Sequence, residues 1–252
     1  QASFAADTGQ TGGPPAGQPR TFYTSIVQPT QSAAYGLLQA GSPYAFHTIG
    51  STLVIHAESY AQVRGFPKRE AGEDFYILNK LAKIGEIEDS LGSPIQIQGR
   101  LSERTPFGTG QRVQDFAISM MEGKPIYFYH PQVFFYLKEW LDILRTYSQS
   151  NSNLDDEVNA HRSGSFLRPI LEAMNAFESI QKLYSRAKTA ERRLKHFHTW
   201  FDAFRTLKFI HALREGPLPS LPWEAAMDEF EQLTSDTSLR YTSHQKYQVV
   251  VN

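Results

Sequence analysis

The sequence predicts an α/β segment followed by an α-helical region. Two observations carry that expectation. As far as about Asp115, short runs with strand character ("STLVIHA", "SPIQIQGRL") alternate with short helical patterns, whereas beyond it the patterns are long and helical, with wide apolar faces. The division is therefore an irregular arm over 1–20, a mixed segment over 21–115 and a helical region over 116–252.

The arm is rich in Gly, Pro, Thr and Gln and lacks the apolar groups that offset ordering entropy. "TQSAAYGLLQAG" predicts a short helix closed by Gly41, and the β-branched "STLVIHA" a strand. "ESYAQVRGF" reads as a short helix, and "EDFYILNKLAKIG" as a longer one stopped by Gly85, with Phe75, Leu78, Leu81 and Ala82 on one stripe. "SPIQIQGRL" alternates like a half-buried strand.

Pro131 suits the first turn of a helix running to about Tyr147. A polar stretch containing "LDDE" at Leu154–Glu157 reads as a loop. Two helices are expected next, over about 166–188 and 190–215, the second with Leu194, Phe197, Phe201, Phe204, Leu207, Ile210 and Leu213 on one side. Gly216, Pro217 and Pro219 end it, and "PWEAAMDEFEQL" is a last short helix.

The 252 residues are enough to bury a sizeable core. With 25 basic against 26 acidic side chains, no field of one sign advertises a nucleic-acid or anionic-membrane partner, so any anion must be bound locally. The absence of cysteine excludes disulfides, thiolate metal sites and a cysteine nucleophile. The N-terminus lacks the pattern of a signal peptide, and polar residues interrupt the most apolar stretch, Pro125–Leu144, too often for a transmembrane helix. A cytoplasmic protein, free or peripheral to a membrane, is expected.

From Ala45 to Gly85 the order of features is more specific than any one of them. Gly50-Ser51 precedes "TLVIH", a short helix ends at Gly65-Phe66, and Glu73-Asp74 opens the next helix. This order resembles the acceptor-side portion of family 2 glycosyltransferases, inverting nucleotide-sugar enzymes of the GT-A fold. The downstream "RLSERTPFGTGQRV" resembles the basic, glycine-containing loop of some members, so the likeness covers Tyr44 to Val113. Two departures stand beside it: Arg64 replaces a glycine, and only some fifty residues precede Gly50, where the family's nucleotide-binding half and its Asp-x-Asp metal motif belong.

The resemblance implies a partial GT-A mixed sheet and transfer of a sugar to a hydroxyl acceptor with inversion. It makes Asp74 the general base that takes the acceptor proton, with Glu73 orienting the acceptor. It lets the backbone at Gly50 and Ser51 approach the sugar, and sets Arg100, Arg104 and Arg112 to neutralise the diphosphate. Mg or Mn is the implied cofactor, without ligands found in this chain, and a separate N-terminal half is the implied partner. Read from the residues alone, the acid pair complements a helix N-terminus, Gly50-Ser51 is a turn, and the arginines belong to a solvated loop.

His47, His56 and His130 are conceivable metal ligands, though a lone histidine is more often a cap, a surface group or a core group, and His196, His198 and His211 are helix-face residues. Two further functional classes fit the pattern. One is a non-catalytic helical interaction module retaining glycosyltransferase ancestry. The other is a membrane-surface protein using Phe134, Phe135 and Trp140, which predicts liposome co-sedimentation that is lost on replacing these aromatics.

Overall fold

The computed structural model describes residues 33–46, 48, 53–88, 118–119 and 121–236. In chain order its elements are α1 (33–39), α2 (Ala57–Gln62), α3 (Glu73–Leu81), β1 (Tyr127–Phe128), α4 (Gln132–Gln149), α5 (Leu154–Ala160), α6 (Gly164–Ala173), α7 (Ala176–Ser185), α8 (Ala190–Trp200), α9 (Ala203–Glu215), β2 (Leu221–Pro222) and α10 (Trp223–Asp236).

The described residues are mostly helical, which corrects the expectation of an α/β mixed sheet of GT-A type. Among the described residues the sheet has two strands, β1 and β2, paired antiparallel. Both lie in the second half, where helices were expected. The strand predicted at "STLVIHA" does not form over 53–56, and Val54 is 61% exposed. Strand propensity expresses packing against a neighbouring strand, and a β-branched run without one gains nothing from extension into a ladder. "SPIQIQGRL" lies outside the described residues.

The core forms around α4. Val133, Leu137, Trp140, Leu144 and Tyr147 alternate at spacings of four and three, one continuous stripe, and all are buried. Against this stripe pack α5, α8 and α9, with α6 and α7 closing the far side. Leu171, Ile180, Phe197, Phe201, Phe209 and Leu213 complete the interior, and Leu37 and Ala40 of the α1 segment join it. Trp140 is fully buried, Phe134 packs against the core, and Phe135 is half-buried. No helix among the described residues is long and apolar enough to cross a membrane.

Three local expectations are also corrected. "LDDE" is not a loop but the first turn of α5, where the Asn153 side chain accepts from the Asp156 N–H at 2.8 Å. The single helix expected over 166–188 is two, divided at Asn175, which takes a left-handed φ of 52°. The helix expected over 190–215 is also two, divided where Phe201 leaves helical geometry and Asp202 caps α9 through the Arg205 N–H at 3.2 Å.

Candidate functional site

The acid pair stands on a corner built by two left-handed turns. After α2 the chain reverses through Arg64 at φ 61° and Gly65 at φ 64°, with the Gly65 N–H donating to the Tyr60 carbonyl at 2.9 Å. A β-carbon at Gly65 would come within 2.8 Å of the Tyr60 ring, so both conformation and space call for glycine. The second turn is at Gly72, the N-cap of α3, with φ 74°. Gly72 has no side chain with which to cap the helix, and Glu73 and Asp74 provide the negative charge of its first turn.

Glu73 is exposed and Asp74 half-buried. Asp74 Oδ1 accepts from the Phe75 N–H at 2.7 Å, and neither acid forms an ion pair within the described residues. Arg69, the nearest upstream cation in sequence, instead lies over the Tyr76 ring at 3.7 Å. The carboxylates are therefore not committed to holding the fold together. What they can do is accept a proton, or a hydrogen bond, from a molecule at the mouth of α3.

Behind this turn α3 is firmly seated. Ile77, Leu78 and Leu81 join Val63 in a second, smaller core. Phe75 and Tyr76 both pack on Phe204 of α9, at centroid distances of 4.8 and 4.6 Å. Buried Asn79 donates to Asp202 Oδ2 at 3.1 Å and accepts from the Ala203 N–H at 2.9 Å. Lys83 pairs with the same Asp202 oxygen at 2.5 Å. Burial pushes the Asp202 carboxyl up, but hydrogen bonds from Lys83 and Asn79, the Lys83 charge and the Arg205 N–H together hold it below its ordinary value.

A hollow of about 70 Å³ opens between α2 and α3, lined among others by Val54, His56, Ser59, Leu78, Leu81 and Ile84. Pockets that enclose small-molecule ligands run to roughly 300 Å³ or more, so this one does not hold a sugar. Asp74 is not on its wall. Of the residues singled out in the sequence, the structure brings Glu73 and Asp74 together on one helical turn. Gly50, Ser51, Arg100, Arg104, Arg112 and His47 lie outside the described residues.

The remaining histidines do not converge. His56 is exposed beside the hollow, while His130 Nδ1 accepts from the Gln132 N–H at 3.3 Å and is held below its ordinary pKa by burial, which the Glu229 charge opposes. Burial and then the Arg145 charge lower His198 in the same direction. Among the described residues no group of three His, Asp or Glu side chains is placed to hold a metal ion. These residues therefore do not fit the implied Mg or Mn, and no chemical step is derived through it.

One polar cluster escaped sequence reasoning. Buried Glu139 of α4 accepts from Arg162 at 2.8 and 3.2 Å and from Ser163 Oγ at 3.0 Å, with His161 Nδ1 at 3.4 Å. It ties α4 to the link between α5 and α6. Both carboxylate oxygens accept from donors of the fold, so the cluster is structural. Its only sequence signal is an acid in the middle of an otherwise apolar face.

Comparison of the chain with protein-family models, with curated proteins and with solved structures finds no match in any of the three.

Proposed function

We propose that the α2–α3 corner is the acceptor side of an inverting glycosyl transfer of the family 2 type, from a nucleotide-sugar donor to a hydroxyl, in the cytoplasm. The observation that carries this proposal is the acid pair itself. Two left-handed turns deliver Glu73 and Asp74 to the mouth of a firmly seated helix, and neither forms an ion pair within the described residues. In this proposal Asp74 takes the proton of the attacking hydroxyl and Glu73 holds the acceptor. The backbone at Gly50 and Ser51 meets the sugar, and Arg100, Arg104 and Arg112 meet the diphosphate. A nucleotide-binding half from outside this sequence completes the donor site and supplies the ligands for Mg or Mn.

Titration calorimetry with uridine and guanosine diphosphate sugars plus Mn tests the proposal, on the chain alone and with candidate donor-binding halves. Heat in the paired sample and none from the chain alone is the expected result. Silence in both supports a second function, a non-catalytic helical interaction module. The observation favouring that alternative is the balance of the fold: a well-packed helical body with a hollow too small for a sugar.

A further inference from the structure

We infer that the basic corner joining α7 and α8 is a docking surface for an anionic phospholipid membrane. Arg186 ends α7, Lys188 stands just ahead of the α8 N-cap Thr189, and Arg192 and Lys195 follow one turn apart on α8. All four are exposed, and among the described residues none has an ion-pair partner or a side-chain hydrogen bond. Most other cations on the helical body are engaged: Lys138 and Arg145 with Asp142, Arg162 with Glu139, Arg168 with Asp155, and Lys182 with Glu178, while Lys208 stands by itself on α9. From Arg186 to His198 the sequence offers one acid, Glu191, in a chain whose net charge is -1. The corner thus gathers four unpaired cations along one short stretch of chain.

The fold accounts for little of this charge. Arg186 suits the C-terminus of α7, but Lys188 and Arg192 stand at the end of α8 where the helix dipole favours acids. The neighbouring Arg193 shows what a structural cation does here. It donates to the Ala187 carbonyl at 3.1 Å and the Ser148 carbonyl at 3.3 Å and lies over the Tyr184 ring at 3.8 Å, pinning the corner to α4. The four free cations are therefore presented on a firm base.

The choice of partner follows from what surrounds them. Single-stranded nucleic acid needs open aromatic faces for base stacking. At this corner Phe197 is buried, Tyr184 is covered by Arg193, and Arg205 lies over Trp200 at 4.5 Å. A surface of lipid headgroups requires only exposed lysines and arginines clustered on an amphipathic helix, which is what α8 and its leading turn provide. Arginine and lysine stems also reach outward without unpacking the helix beneath.

Co-sedimentation of the full chain with vesicles of phosphatidylcholine, with and without phosphatidylglycerol, tests the inference. Sedimentation is expected only with the anionic vesicles, and it is lost at high salt. The Arg192→Glu/Lys195→Glu double variant is expected to bind at least ~10-fold more weakly, whereas Lys124→Glu, on the β1 side, is not, with circular dichroism confirming that both fold. Equal sedimentation of the double variant and the wild type would overturn the inference. So would no binding by the wild type, or a duplex or single-stranded oligonucleotide bound more tightly than the vesicles with the same loss in the double variant.

Discussion

The Asp202 carboxylate caps α9 through the Arg205 N–H, pairs with Lys83 and accepts from Asn79, so one side chain fastens α3 to the helical body. Replacing it removes a cap and leaves buried Asn79 short of a partner, while Lys83, partly exposed, can turn to water. Asp202→Ala is therefore expected to cost about 2–3 kcal/mol in urea unfolding, and Asn79→Ala about 1–2 kcal/mol. Gly65→Ala is expected to cost about 1–2 kcal/mol, since it meets both a left-handed backbone and the Tyr60 ring. The end of α2 near Gly65 and the start of α3 at Glu73 could be read from the sequence. The Asp202 clasp could not, because nothing in a sequence pairs Asn79 with a residue more than a hundred positions away.

Among the elements, α4 was legible for a simple reason: one apolar stripe with a 3.6-residue period runs its full length behind Pro131. The same period misled over 190–215. Apolar residues continue in phase through Phe201, and that continuity concealed Asp202, whose N-cap chemistry divides α8 from α9. Asn175 broke the preceding pattern in the same way, by taking a left-handed turn that asparagine tolerates. In α3 the stripe was placed slightly off: Ile77 is buried and Phe75 only half-buried, because Phe75 turns toward Phe204 rather than inward. The missed helix α5 gives a direct check. Asn153→Ala, which deletes its cap, is expected to lower stability by about 1 kcal/mol, and Asn153→Gly by only a few tenths, in parallel urea titrations.

For the molecule as a whole, acid should act in two stages. His198 and His130 are held below their ordinary value of 6.5 in the folded protein, so the unfolded chain takes up protons first as pH falls through that value. Their contribution is present above about pH 6.5 and declines below it. Asp202 and Glu139 are held below their ordinary values of 3.8 and 4.5. Their contribution is complete above that range and is lost as pH falls further, through the depressed folded values. Urea midpoints measured against pH should show a shallow decline beginning near pH 6.5 and a steeper one below about pH 4.5, and His198→Gln should reduce the first.

The predicted mixed sheet failed at this same level, since strand propensity in "TLVIH" says nothing of whether a partner strand is present. The corner carrying Glu73 and Asp74 did emerge from sequence order. The most direct test of its role is sugar transfer by the chain joined to a donor-binding half, comparing wild type with Asp74→Asn. A loss of about 100-fold or more in rate, with calorimetric donor binding unchanged, is the predicted result. Transfer by Asp74→Asn at the wild-type rate would contradict the assignment of Asp74 as the base.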